Sequence, residues 1–163
     1  MPKLSAVSDR VLLLSPEAPY PLAGGGAMRS SSILQLLTRN HSVHLITFRE
    51  PEAPHPRESL PKGLVKDLSV VNLSHHSRGF WMRSWRNAIR LLRGVLPLTD
   101  RFGNKSIRNK VLNELQGKRY RAAIVEHFWC APYFEILRNY SDRVVLNLPV
   151  SYTHLTLPTI LLV

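Results

Sequence analysis

The sequence predicts an α/β fold, a Rossmann-like parallel sheet with helices on both faces. Three observations predict it. Short apolar runs such as Val11-Leu12-Leu13-Leu14 lack the alternation of a half-exposed strand, as expected for strands covered on both faces. Helical-period segments separate several of these runs, which is the sequence form of βαβ units. Proline- and glycine-rich stretches fall between the runs, where the chain must turn.

The first unit spans Arg10 to Phe48. A strand over Arg10–Leu14 leads into Ser15–Ala23, where Pro16, Pro19 and Pro21 forbid a continuing helix or central strand. Gly24, Gly25 and Gly26 follow, and a helix is expected to begin near Ala27. Its apolar face is read as Met28, Ile33, Leu36 and Leu37, with Arg39 at its end, where a cation suits the helix dipole. A second strand is expected over Val43–Phe48. A long proline-rich loop runs from Arg49 to Lys62, and a third strand covers Leu68–Leu73.

The clearest amphipathic pattern is Phe80–Arg93. Trp81, Trp85, Ala88, Ile89 and Leu92 recur at helical spacing, with Arg83, Arg86, Arg90 and Arg93 on a neighbouring stripe. The tryptophans can be core with the arginines as a solvated face. Alternatively, the helix can lie on an anionic membrane with Trp81, Arg83, Arg86, Arg90 and Arg93 facing it. Gly94 and Pro97 end the pattern. A further helix is expected over Ser106–Gln116, with Ile107, Val111, Leu112 and Leu115 on one side and Gly117 as its stop. A fourth strand at Ala122–Val125, a short helix from Pro132 to Tyr140 and a fifth strand at Val144–Leu148 complete the pattern.

Composition bounds the function. The chain of 163 residues suits one domain with its own core. No run of about 18 uncharged apolar residues predicts a transmembrane helix. Met1 to Arg10 lacks the apolar core of a secretory signal. Cys130 is the single cysteine, so no internal disulfide can form. The net charge of +11 favours an anionic partner. His41, His44, His55, His75 and His76 have no ligand spacing, and no metal site is expected.

Two places carry candidate chemistry, and both fall at the carboxyl ends of predicted strands, where open α/β sheets bind ligands. Gly24, Gly25 and Gly26 can adopt positive φ and let a ligand approach the backbone. The helix N-terminus beyond them offers unpaired N–H groups to an anion, with Arg29 adding charge. The run is not a dinucleotide fingerprint, because Arg29 stands where the third glycine belongs, nor a P-loop, because no Gly-Lys-Ser/Thr follows. The second place is Glu126-His127-Phe128-Trp129. His127 can donate hydrogen bonds or act as a base near neutral pH, and Trp129 can stack on a sugar. The plainer alternative is a structural histidine beside a core aromatic.

Pro19-Tyr20-Pro21-Leu22-x-Gly24-Gly25-Gly26-x-Met28-Arg29-Ser30, followed by a helix and His41-x-Val43-His44-Leu45-Ile46-Thr47-Phe48, resembles the N-terminal domain of bacterial GT-B glycosyltransferases. Val125-Glu126-His127-Phe128-Trp129-x-Ala131-Pro132-Tyr133 matches the family's segment after the fourth strand. The resemblance is to the retaining family 4, and it covers about residues 10–149. It implies a nucleotide-sugar donor as substrate, no permanently bound cofactor, and a sugar or lipid-linked acceptor. It assigns His127 as the catalytic-site histidine and Gly24, Gly25 and Gly26 to substrate binding, while Arg29, Glu126 and Trp129 are read as substrate-binding from their own chemistry and place at the sheet edge. It also implies a cytoplasmic enzyme of cell-envelope or exopolysaccharide synthesis, peripheral at the inner face of the membrane. The family often shows Asp-x-His-Asn after the last strand, where this chain has Asn147, Leu148 and Pro149. The family's donor-binding C-terminal domain has no counterpart here, so the fragment is expected to be inactive alone.

Residues 150–163 carry no Asp, Glu, Lys or Arg in a chain where 20% of residues are charged. Val150-Ser-Tyr-Thr-His-Leu-Thr-Leu-Pro-Thr159 resembles a translated transposase-type sequencing adapter, and the stretch is read as a non-native tail. Residues 1–9 are expected to be disordered, leaving residues 10–149 as the domain. A different functional class remains open: a non-catalytic basic module that binds anionic membrane or nucleic acid, supported by the charge and the arginine stripe.

Overall fold

The computed structural model describes residues 9–73 and 101–148. The expected helix over Phe80–Arg93 and the tail from Val150 lie outside these residues.

Five strands form one sheet: β1 (Arg10–Ser15), β2 (Ser42–Arg49), β3 (Asp67–Asn72), β4 (Ala122–Glu126) and β5 (Val144–Asn147). Their spatial order is β3-β2-β1-β4-β5, and every pairing is parallel. All five carboxyl ends therefore lie along one edge. The strand order reverses direction at β1, so a crevice opens beyond the ends of β1 and β4.

Burial explains the apolar runs. Val11 to Leu14 are all buried because β1 is the central strand and is covered on both faces. Leu13, Val43 and Leu45 pack on one face with Leu34 of α1 (Gly25–Thr38). Leu12, Leu14, Ile46 and Phe48 pack on the other with Ile107, Val111 and Leu115 of α3 (Lys105–Leu115), and with Tyr133 and Ile136 of α4 (Tyr133–Leu137). A short helix α2 (Pro56–Ser59) interrupts the proline-rich loop.

Asn104 caps α3, its side-chain oxygen accepting from the Ile107 N–H at 3.0 Å. Gly117 follows that helix at φ 68°, a conformation that favours glycine. A 3-10 turn, Phe128–Cys130, joins β4 to the region of α4.

The buried face of α1 differs from its sequence reading. Met28 and Leu36 are 55% and 63% exposed, while Ala27, Ser30, Ser31 and Leu34 are buried. Ile33 and Leu37 are partly buried against the same cluster. Small residues let the start of the helix lie close to the sheet, so the large side chains of Met28 and Leu36 are turned away from it. The hydroxyls this buries are satisfied locally. Ser31 donates to the Met28 carbonyl at 2.7 Å, and Ser30 bonds across to β4.

A second buried polar chain fastens α3 to the sheet. His44 is fully buried on β2, with Nδ1 2.5 Å from the Tyr120 hydroxyl and Nε2 2.9 Å from Ser69 Oγ. Ser69 donates its single proton to Glu114 Oε2 on α3 at 2.6 Å, so it can only accept from His44. The neutral ring therefore carries its proton on Nε2, and Tyr120 donates to Nδ1. Burial lowers the His44 pKa to about 4 and raises that of Tyr120 to about 12.

Candidate functional site

The site is built where the chain leaves β1 and β4. After β1, the Ser15 hydroxyl donates to the Glu17 carbonyl at 2.8 Å, turning the chain into the proline loop. That loop contains a cis Tyr20–Pro21 bond and ends at Gly24. Gly24 is the N-cap residue, and its carbonyl accepts the first intrahelical bond from the Met28 N–H at 2.9 Å. No side chain caps the helix, so the N–H groups of its first turn face outward uncapped.

The expectation of positive φ in this loop is not met. Gly24 is fully extended at φ −176°, and Gly25 and Gly26 are already helical. The glycines matter for space instead. A Cβ at Gly24 or Gly25 would meet nothing within 4 Å, and at Gly26 it would meet the Glu17 carboxylate at 3.1 Å. The bare backbone is open to an incoming group, and the Glu17 side chain leans over its last glycine.

Beyond β4, His127 adopts φ 65° and ψ 150°, a conformation that is rare for a residue with a side chain. Such strain costs about 1–3 kcal/mol and persists only where the surroundings hold it. Three contacts hold it here. The His127 N–H donates to the Asn147 carbonyl at 3.1 Å. The ring stacks on Trp129, with centroids 5.5 Å apart and planes 5° from parallel. The preceding residue, Glu126, is anchored inward. Burial depresses the pKa of His127, Glu126 opposes that shift, Arg29 reinforces it and Glu17 opposes it. The imidazole is thus neutral near pH 7, and its Nδ1 is buried with no hydrogen-bond partner.

Glu126 sits differently from its expected substrate contact. It is fully buried, Oε1 accepts from Asn147 Nδ2 at 3.0 Å, and Oε2 accepts from the Ser30 hydroxyl. Both oxygens are engaged inside the protein, so the carboxylate fixes neighbours rather than facing a ligand. Ser15 and Ser30 oxygens lie 3.3 Å apart, but each hydroxyl has spent its proton on another acceptor. The carboxylate thereby ties α1, β4 and β5 together directly beneath His127.

Arg29 is half-buried in the first turns of α1, with Nη2 buried and unpartnered. Trp129 lines a cavity of about 510 Å³ together with Gly24, Tyr20, Phe48, Arg49 and Phe102. Glu50, which follows β2, pairs with Arg101 at this cavity. Cys130 is buried, and its thiol pKa is pushed up by that burial, which makes it a poor nucleophile.

Of the residues singled out in the sequence, Gly24 and Trp129 line this cavity, His127 stacks on Trp129, and Arg29 acts electrostatically on His127. Gly25 and Gly26 open α1 beside them. Trp81, Arg83, Arg86, Arg90 and Arg93 lie outside the described residues. Ser30, Asn147, Glu17 and Arg49 were not foreseen. A serine on an otherwise apolar helix face was the available signal for Ser30. Asn147 stood at the place of the Asp-x-His-Asn motif without matching it, and nothing in the sequence marked the parts played by Glu17 and Arg49. Among the described residues, no helix is long and apolar enough to cross a membrane. No family model, curated protein or solved structure matches the chain.

Proposed function

We propose that this domain is the acceptor-side half of a nucleotide-sugar-dependent glycosyltransferase. The observation that carries the reading is the convergence, on one sheet edge, of an uncapped glycine-led helix N-terminus, a strained neutral histidine and an aromatic-lined cavity. Each part has a chemical task. The first-turn N–H groups of α1 and Arg29 stabilise negative charge that develops on a departing diphosphate. The cavity beside Trp129 takes the acceptor, whose sugar ring stacks on aromatic faces. His127, neutral and held by Asn147 and Trp129, orients a hydroxyl of the acceptor or of the transferred sugar. Glu126 sets the position of that loop without touching substrate. Transfer exchanges the bond from the anomeric carbon to the diphosphate oxygen for one to the acceptor oxygen, and the acceptor proton leaves to a base. The nucleotide is bound by a second domain outside this chain.

Gly25→Val in the complete enzyme tests the reading. A side chain there has open space around it, so the fold is preserved while the approach of a ligand to the backbone is blocked. Turnover of a nucleotide-sugar should fall by at least about tenfold with the urea midpoint unchanged. Unaltered turnover refutes the role of the glycine loop. A chain that instead binds anionic vesicles or DNA tightly and salt-sensitively, with no transfer by the complete enzyme, is the basic binding module.

A further inference from the structure

The 510 Å³ cavity is within the size range of small-molecule sites, roughly 300–1,000 Å³. Its walls come from the loop after β1, the end of β2 and Phe102, with Trp129 from the β4 side. Tyr20, Phe48, Phe102 and Trp129 give it aromatic surface. Two guanidinium groups also line it, and their partners differ.

Arg101 is bound to Glu50, yet its Nε is buried with no hydrogen-bond partner. Arg49 is half-buried at the end of β2. Its Nε donates to the Ala53 carbonyl at 2.8 Å, which fixes the plane of the group. Among the described residues no carboxylate pairs with Arg49, which lines the cavity, so the fork of its two terminal nitrogens is not spent on an ion pair there. A planar guanidinium fork matches the two oxygens of a carboxylate or phosphate. The carboxylates lining the cavity do not fill that place. Glu50 is committed to Arg101, and the Glu17 carboxylate lies against Gly26.

We propose that the cavity binds a sugar carrying an oxyanion group, a phosphate or a carboxylate, with Arg49 as the residue that selects it. This rests on the reading of the cavity as an acceptor site and names the acceptor's class. Arg49 receives the anion through its terminal N–H groups while the aromatic walls cover the ring. Neutral sugars of the same size leave the fork unpaired and bind less well.

Calorimetric titration of this chain separates the possibilities, with glucose 6-phosphate, glucuronate, glucose and inorganic phosphate as probes. Either charged sugar should bind at least about tenfold more tightly than glucose, and whichever of the two binds better identifies the anion. Arg49→Gln should abolish that preference while leaving the weak affinity for glucose in place. Arg49→Lys, which keeps the charge and loses the fork, should recover only part of it. Equal affinities for glucose and both charged sugars, or an anion preference that survives Arg49→Gln, overturns the proposal. If Arg49→Gln fails to fold by circular dichroism, Arg49→Lys decides, and full retention of the preference counts against the fork. Inorganic phosphate binding as tightly as glucose 6-phosphate reduces the site to a bare anion hole, which also overturns it. Anion-selective sugar binding without transfer by the complete enzyme leaves the cavity's ligand class intact and defeats the glycosyltransferase reading alone.

Discussion

Acidification should destabilise this domain through His44. His44 is fully buried in a chain of hydrogen bonds from Tyr120 through the ring to Ser69 and Glu114. Burial is the main reason its pKa falls from 6.5 to about 4. Lys118 and Arg10 add to the shift, and Asp67 and Glu114 oppose it. The unfolded chain takes up this proton near pH 6.5, whereas the native chain resists until about pH 4, so stability is lost as pH falls between those values. The loss reaches about 2 kcal/mol by pH 5 and about 3 kcal/mol below pH 4. Protonation also fails structurally, because Nδ1–H would face a Tyr120 hydroxyl that now has no acceptor for its own proton. Urea unfolding at pH 8, 6.5, 5.5 and 5 measures the effect. A loss of 2 kcal/mol moves the midpoint by roughly 1 M at a slope of about 2 kcal/mol per M. His44→Gln cannot titrate, so the stability difference between wild type and variant should shrink by that amount from pH 8 to pH 5. His127, whose pKa is also depressed, contributes equally to both proteins and cancels. A difference independent of pH would refute the neutral state of the buried ring and the depression of its pKa by burial.

Two further perturbations address the site and its support. Leu34→Ala should cost about 3 kcal/mol, because Leu34 is fully buried between α1 and the sheet, whereas Leu36→Ala should stay within about 0.5 kcal/mol because that side chain faces solvent. Chemical denaturation of the two variants checks the assignment of the helix face. Glu126→Gln removes a charge that raises the pKa of His127, so the ring should protonate at lower pH, as followed by the imidazole proton resonances. A midpoint that stays put or rises would show that the carboxylate does not act on the ring. Glu126→Ala also strands the Ser30 hydroxyl and the Asn147 amide and should cost roughly 3 kcal/mol.

The sheet was legible because a parallel strand buried on both faces has no choice of residue type. Val11 to Leu14 could be little else, and the proline-rich stretches after β1 and after β2 fixed where those two strands ended. The helix face of α1 was not legible. Hydrophobic size pointed to Met28 and Leu36, but close packing at the start of the helix selected Ala27, Ser30 and Ser31. The glycines were recognised for the right location and the wrong property, since open space rather than positive φ distinguishes them. Glu126 showed the opposite failure. A carboxylate at a strand end looks like a ligand group until its partners are known, and Ser30 lies 96 residues away in the chain. The pairing of Arg101 with Glu50 across 51 residues was hidden for the same reason. Sequence periodicity reports which residues are buried, and a hydrogen-bond network between distant elements leaves no period.

Among the described residues, the buried polar atoms without a protein partner are not spread evenly over the fold. His44 and Glu126 are both fully buried titratable groups, and both polar atoms of each side chain have a hydrogen-bond partner. The fold can therefore satisfy buried polarity where it needs to. The buried side-chain atoms without a partner, among the described residues, belong to Arg29, Thr47, Arg101 and His127. Thr47 sits opposite Ser15 in the β1–β2 register, near the carboxyl ends of both strands, and His127 immediately follows β4. Arg29 lies in the first turns of the helix that begins above this edge, and Arg101 lines the cavity there. A sheet whose carboxyl edge served only to end its strands would bear the desolvation cost of these groups, of order 1–3 kcal/mol apiece, with no return. All four fall at the one edge where a parallel sheet gathers its loops, the edge on which the proposed acceptor site rests. Two of the four atoms, on Arg29 and Arg101, are guanidinium nitrogens that can only donate, so a group that pairs with them must accept hydrogen bonds.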